Sequence, residues 1–387
     1  MKFNFDRVIE RRGTYSIKHE PVARGLPDDI LPMWVADMDF QVAPCITEAL
    51  EARVKHGIYG YSMPDTGYFD TVQGWVEQRF GWKTKREWLA QTPGVVNSIY
   101  IAIRALTEPG DGVVIQQPVY HPFMYAIRDT GRRMLNNELI YEEGRYTIDY
   151  VDFEEKIRDA AMFILCSPHN PAGRVWTREE LQKMGEICLR HGVIVISDEI
   201  HQDFVYPGSR HYMLADLDES FADITVTCTS PSKTFNLAGL QLSNTFIPNG
   251  ELRGRFLKMY KSCGLNEPGV MGLVACKAAY DGGAEWLGEL ISYLGGNFGL
   301  IREFLHTRLP MVRLVEPEGT YLAWLDFSEL GHSAQELDRL IRDKAGLWLV
   351  GGTTFGDCGA GFQRMNIACP RSVLSEGLAR LEAAFGS

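Results

Sequence analysis

Positive charge is the first thing the chain lacks. Its 387 residues hold 39 Lys and Arg against 50 Asp and Glu, a formal net charge of −11, with no long run of like charge. Nucleic-acid binding needs clustered Lys and Arg to neutralise phosphates, so no nucleic-acid partner is expected. Long apolar runs are also missing. Charge-free stretches such as 234–250 are broken by Asn, Gly and Pro. They fall short of the ~20 apolar residues of a spanning helix, so no membrane partner is expected. Residues 1–13 carry Lys2, Asp6, Arg7, Glu10, Arg11 and Arg12, which leaves no apolar stretch for a secretory leader.

Cysteine is present, but its pairing signals are not. The eight cysteines, at 45, 166, 188, 228, 263, 276, 358 and 369, include no C-x-x-C spacing. Cys166 and Cys228 end the apolar runs Phe-Ile-Leu-Cys and Thr-Val-Thr-Cys. Reduced thiols packing as small hydrophobes are expected, not a disulfide framework, and the cytoplasm follows as the expected location.

Four catalytic signatures are missing as well. There is no G-x-x-x-x-G-K-[ST] to cradle a nucleotide and no G-x-G-x-x-G after a strand to hold a dinucleotide. There is no G-x-S-x-G nucleophile elbow and no H-E-x-x-H zinc pair. The nine histidines show no ligand spacing, so no metal is expected.

What the chain does have is alternation. Gly112–Gln116, Ala161–Cys166, Val193–Ser197 and Ile224–Thr229 are short apolar runs bounded by polar or turn residues. Such runs fit parallel strands buried on both faces. Between them Ile99, Ala102, Ile103 and Leu106 share one helical face, and Leu181, Met184, Ile187 and Cys188 another. Thr177 and Glu180 have the spacing of a capping box. The pattern predicts an α/β fold with a large, mostly parallel sheet flanked by helices. After about residue 285 the rhythm changes. A long helix leads to strands at Arg313–Val315 and Tyr321–Phe327, a helix near Ala334–Lys344 and a last helix carrying Leu374, Leu378, Leu381 and Phe385. This predicts a smaller α+β domain, with the glycines at 351, 352, 356, 359 and 361 in one long loop.

In open α/β sheets ligands sit beyond the carboxyl ends of the strands. Three polar motifs take that place: Ser167-Pro168-His169-Asn170-Pro171-Ala172-Gly173, then Asp198-Glu199-Ile200-His201, then Ser230-Pro231-Ser232-Lys233-Thr234. An Asn, an Asp and a Lys therefore converge on one crevice. With no metal cluster and no nucleotide loop, that set suits pyridoxal 5'-phosphate. The cofactor needs a lysine for its aldehyde and an acid to keep its ring nitrogen protonated.

From about Pro32 to the C-terminus the chain resembles fold-type I pyridoxal-phosphate enzymes of the aspartate aminotransferase superfamily. The resemblance rests on SPHNPAG (167–173), SDEIH (197–201) and SPSKTFN (230–236). PMWVADMDF (32–40) and SKTFNLAGLQLS (232–243) look like the cystathionine β-lyase branch, of the PatB and maltose-regulon-modulator type of C–S lyases. The resemblance implies a large cofactor domain over 45–284 and a discontinuous small domain of 1–44 and 285–387. It also implies a homodimer with shared active sites.

Carried over position by position, the resemblance makes Lys233, Asp198 and Tyr120 the catalytic set. Lys233 would bind the aldehyde, Asp198 the ring nitrogen, and Asn170 and His201 the phenolic oxygen, with Tyr120 stacked on the ring. Many relatives carry Tyr where His201 stands. The phosphate would meet Gly94, Val95 and Val96 at a helix start, the Ser230 hydroxyl, and Tyr61 from the second subunit. Arg364 would fork onto the substrate carboxylate, with Asn170 and the Ala36 backbone beside it. Eight residues after the lysine, where aminotransferases usually carry a phosphate-gripping arginine, this chain has Gln241, as the lyase branch does.

The implied reaction is β-elimination from cystathionine or a related cysteine S-conjugate, giving pyruvate, ammonia and a thiol. The alternative is an aminotransferase acting on an amino acid and a 2-keto acid with the same residues. A cofactor-binding regulator fused to a DNA-binding module is a further class. The cofactor pattern begins near residue 32, which leaves little chain ahead of it for such a module, and the acidic balance disfavours DNA.

Overall fold

The computed structural model describes residues 2–386. A seven-stranded sheet forms its centre: β1 (Leu89–Thr92), β2 (Gly112–Ile115), β3 (Arg133–Asn136), β4 (Met162–Cys166), β5 (Ile194–Asp198), β6 (Thr225–Thr229) and β7 (Ser243–Phe246), in spatial order β1-β7-β6-β5-β4-β2-β3. The neighbours from β3 to β6 pair in parallel, while β7 runs antiparallel to both β1 and β6. The four apolar runs expected as strands are β2, β4, β5 and β6, each ending within one residue of its expected limit. β7 escapes an apolar pattern because it reads Ser-Asn-Thr-Phe, all buried. Its polar side chains are satisfied internally: the Ser243 hydroxyl meets Thr92, Thr245 meets Ser98, and Asn244 accepts from Tyr68.

Helices cover both faces, and their starts follow local chemistry. Arg178–Arg190 opens with the Thr177–Glu180 capping box in both directions. Val95–Leu106 presents Ile99, Ala102, Ile103 and Leu106 to one apolar cluster. On the opposite face of the sheet Leu181, Met184, Ile187 and Cys188 of the Arg178–Arg190 helix join a second cluster.

Beyond the 25-residue helix Ala284–Arg308 a second, antiparallel sheet follows. Its strands are β8 (Arg313–Leu314), β9 (Leu322–Asp326), β10 (Val350–Gly351) and β11 (Phe362–Asn366), in order β8-β9-β11-β10. Segment Leu31–Pro32 pairs in parallel with Leu347–Trp348, so chain from near the N-terminus joins this C-terminal region. The last helix, Arg371–Phe385, buries Leu374, Leu378 and Leu381 as expected.

The glycine-rich stretch is not one loop. It forms β10 and then two tight helical turns, Gly352–Phe355 and Asp357–Gly359, whose backbones touch. A Cβ on Gly352 would collide with the Gly359 carbonyl oxygen, so these glycines permit close approach rather than freedom. Gly352→Ala is expected to lower stability by about 2–3 kcal/mol, read as a fall in Tm, because backbone has to move.

Candidate active site

Strand register explains why three distant motifs meet. Cys166 pairs with Asp198 and Asp198 with Cys228, so β4, β5 and β6 end level with one another. The residues just past those ends share a cavity of about 230 Å³, with Asn170, Asp198 and Lys233 on its wall. Gly94, Val95, Val96, Tyr120, His201 and Ala36 line the same cavity.

Lys233 sits on a single helical turn, Pro231–Thr234, whose N-cap is Ser230. The next side chain, Thr234, donates to the buried Asp203 at 2.8 Å, and Arg79 holds the other Asp203 oxygen at 3.1 Å. The turn is thus tied at both ends, and the Lys233 Nζ reaches across to the Ala36 carbonyl at 2.7 Å. Burial lowers the Lys233 ammonium to about 8, Asp37 and Asp198 pull the other way, and Arg364 adds to the lowering. An amine with that pKa is deprotonated in a useful fraction at neutral pH.

Asp198 is buried and accepts a single hydrogen bond, from the Ile200 amide at 3.2 Å. No cation among the described residues pairs with it. Burial therefore pushes its carboxyl up to about 7. A buried acid in this state calls for a cationic partner.

At the other end of the cavity Gly94 is the N-cap of the Val95–Leu106 helix with φ +96°, a conformation that favours glycine. Open space surrounds its Cβ position, so the requirement is conformational rather than steric. No side chain caps this helix, and the Val95 and Val96 amides have no acceptor among the described residues. Free amides at a helix N-terminus form an anion seat.

Arg364, on β11, is buried behind Asn170. Its Nη1 donates to the Asn170 Oδ1 at 2.9 Å and its Nη2 to the Trp34 carbonyl at 3.0 Å. Its Nε is buried without a partner, and no carboxylate among the described residues pairs with it. The guanidinium lies 4.8 Å from the Phe355 ring centre. Burial brings it down to about 10. Since Arg364 takes the Asn170 oxygen, the amide nitrogen of Asn170 is left to donate into the cavity. Tyr120 is pushed up to about 12 by burial and stays a neutral phenol. Burial, with Lys233 and Arg364, holds His201 well below its ordinary value, so it is a neutral imidazole.

Of the residues expected at this chain's own cavity, one makes its bonds elsewhere. Ser230 does not line the cavity: its hydroxyl receives the Ser232 amide and donates to the Leu242 carbonyl at 2.7 Å. Ser232 lines the cavity instead. The signal was present in Ser-Pro-Ser-Lys, because Pro at the first helical position makes the preceding Ser the cap. Tyr61 is fully exposed and outside this chain's cavity. Gln241 does line the cavity, in a left-handed backbone conformation. Cys166 also faces it, and its sulfur accepts the Asn170 amide at 3.4 Å.

With this geometry in view, the comparisons with known proteins are specific. The aminotransferase class I and II family model matches residues 37–381. The chain belongs to this family. It is 46% identical to cystathionine beta-lyase PatB of Bacillus subtilis, over 99% of this chain and 100% of the relative. It is 35% identical to MalY of Escherichia coli, over 98% of each chain. The crystal structure of cystalysin from Treponema denticola, which contains a pyridoxal 5'-phosphate cofactor, superposes with a TM-score of 0.96 at 36% identity, over 99% of each chain. In this family member the seven-stranded sheet and the convergence of three strand ends are the fold-type I arrangement.

Arg364→Lys tests the carboxylate role. Losing the fork and its planar donors is expected to cost about 2–3 kcal/mol, so kcat/KM falls roughly 30- to 150-fold, mostly through KM. Steady-state kinetics on one amino-acid substrate gives the split between KM and kcat.

Proposed function

We propose that this chain is a pyridoxal-phosphate-dependent carbon–sulfur β-lyase that cleaves cystathionine or related cysteine S-conjugates to pyruvate, ammonia and a thiol. The observation that carries the reading is the convergence of Lys233, Asp198 and Asn170 on one cavity in a chain 46% identical to a cystathionine beta-lyase along its whole length.

The residues present fit the cofactor. The unengaged amides of Val95 and Val96 suit a phosphate, the unpartnered Asp198 suits a protonated ring nitrogen, and Lys233 supplies the amine for an aldehyde. Asn170 Nδ2 and His201, both on the cavity wall, would bond a phenolic oxygen, and Tyr120 on the same wall would offer a flat face to the ring. Without an arginine at 241, the phosphate charge would be met by the helix-start amides and by Ser232, which line the same cavity.

Pyridoxal phosphate supplies an electron sink for the pair of electrons left when a bond at the substrate Cα breaks. Arg364 grips the substrate carboxylate and so fixes which Cα bond is presented. Lys233, once free, takes the Cα proton at its Nζ as general base. Asp198 would hold the proton on the ring nitrogen and so keep the sink charged. The thiolate then departs from Cβ, aided by its being a weak base. Water and the remaining fragment end as pyruvate and ammonia.

In this reading residues 45–284 form the cofactor domain, and residues 1–44 with 285–387 form the discontinuous small domain. The enzyme works as a homodimer, with Tyr61 completing the phosphate site of the second copy. Support for that comes from the exposure of Ile58, Tyr61 and Met63, an apolar stretch unusual on a free surface. A cytoplasmic location accords with eight free cysteines, and no helix is long and apolar enough to cross a membrane.

The experiment follows the nitrogen. With cystathionine and an added 2-keto acid in equal amounts, ammonia should be the dominant nitrogen product and new amino acid a trace. Dominant transfer to the keto acid would make the chain an aminotransferase.

A further inference from the structure

The Ala36 carbonyl oxygen accepts two hydrogen bonds at once, from Lys233 Nζ at 2.7 Å and from the Tyr321 hydroxyl at 3.0 Å. A carbonyl oxygen has two lone pairs, so both are occupied and the amine and the phenol are neighbours. Tyr321 precedes β9 and is fully buried. Its ring stands edge-on to Phe204 at 4.9 Å and to His201 at 5.8 Å. Ala36 O is the hydroxyl's hydrogen-bond partner, and a buried hydroxyl needs one. The peptide bearing that oxygen cannot turn away. Asn366 Nδ2 donates to the carbonyls on either side of it, Val35 and Asp37, each at 2.6 Å. Arg11 in turn holds the Asp37 side chain at 2.6 Å.

We propose that the Ala36 carbonyl is the acceptor on which the Lys233 amine rests whenever that lysine is released from covalent duty, and that Tyr321, by bonding the same oxygen, is a positioning residue for the base. The inference rests on Lys233 being the base of the proposed elimination. The hydroxyl turns the positive end of its dipole toward the shared oxygen and takes half of its accepting capacity. An ammonium loses more by this than a neutral amine, so the arrangement favours the form that can take a proton. The charged and titratable groups around Lys233 are Asp37, Asp198, Arg364 and His201, with the Tyr120 phenol and the Cys166 thiol on the same cavity wall. Asp37 and Asp198 favour the ammonium, Arg364 opposes it, and His201 is uncharged. Tyr321 adds to the Arg364 side without adding a charge.

Tyr321→Phe tests this, since it keeps the ring against Phe204 and His201 and removes the shared bond. In cofactor-free protein, acylation of the Lys233 amine by acetic anhydride, followed by peptide mass spectrometry across pH, reads how readily that amine loses its proton. The variant is expected to need higher pH for half-modification, with reactivity at pH 8 reduced about three- to tenfold. In the loaded enzyme the acid limb of kcat should move the same way while KM changes less than about twofold. Thermal unfolding and near-ultraviolet circular dichroism of the variant establish that the fold is kept; Tyr321→Leu, which also removes the hydroxyl, replaces it if the Phe variant does not fold. A labelling curve that overlays the parent's, or moves to lower pH, overturns the proposal even where Lys233→Ala abolishes elimination. Elimination that survives in Lys233→Ala would instead overturn the assignment of the base on which the proposal rests.

Discussion

Lys233→Ala should reduce pyruvate formation from a cysteine S-conjugate by at least about 10⁴-fold. Loss of a general base alone removes about 10²- to 10⁴-fold, and the variant also loses the amine that binds the aldehyde. No neighbour can substitute. Lys18, a buried lysine near the N-terminus, is held by Asp39 at 2.6 Å, and the nearby His201 and Arg364 are a neutral imidazole and a guanidinium. The variant should still fold, because Lys233 contributes one long-range hydrogen bond, to Ala36, while Thr234, Asp203 and Arg79 continue to hold the turn. The check is a rate measurement with the fold verified by thermal unfolding. The absorbance of bound cofactor should also lose its lysine-linked band, and an unchanged spectrum would remove Lys233 from its role.

Asp198→Asn should have the second largest effect, about 10²- to 10³-fold on kcat, the range for removing one preorganised electrostatic group from a buried site. An amide cannot hold a proton on the ring nitrogen by charge, so electrons accumulate less readily in the ring. The same substitution has an opposite effect on the cofactor-free protein. Burial raises the folded-state pKa of Asp198 to about 7, against ~3.9 for an unfolded carboxylate. Between these values the folded state holds a proton that the unfolded state has lost, so stability falls as pH rises from about 4 to 7. Above pH 7 the full penalty of a buried, unpartnered carboxylate is present. Cofactor-free Asp198→Asn escapes it and should unfold at higher temperature than the parent at pH 8, with the two converging near pH 4. Pyridoxal phosphate should reverse the order, because its ring nitrogen provides the missing cation to the parent alone. Thermal scans at pH 4, 6 and 8, with and without cofactor, read all of this.

Much of the central sheet was legible because its strands are local statements. An apolar run such as Met-Phe-Ile-Leu-Cys announces burial on both faces, and Thr177 with Glu180 announces a helix start. The strand ends were legible for the same reason: a polar motif that follows a buried run sits at the rim where ligands bind. β7 was not legible, since Ser243, Asn244 and Thr245 are buried by partners on other elements, among them Thr92, Ser98 and Tyr68. No window of sequence contains those partners.

The same limit applies around the cavity. Ala36 was expected at the substrate through its backbone, but its bonds to Lys233 and Tyr321 span 197 and 285 residues. The cluster that fixes the 36–39 segment joins Arg11, Lys18 and His19 to Asp37 and Asp39. As sequence these are ordinary surface charges near an N-terminus. Only the fold buries Lys18 and Asp39 together, where Lys18 and His19 hold the Asp39 carboxyl far below the usual range against the cost of burial. The glycines of 351–361 misled in the other direction, because glycine marks flexible turns and close backbone approaches alike, and the close approach of the Gly352 and Gly359 backbones that separates the two exists only in three dimensions.

The most direct test of the account is the number of pyruvate molecules formed per active site when the purified holoenzyme meets cystathionine with no keto acid present. Elimination consumes no amino acceptor, so hundreds of turnovers are expected, with ammonia and thiol released in equal amount. No pyruvate, with the 2-keto acid of intact cystathionine formed at no more than one per site until an amino acceptor is added, would contradict it.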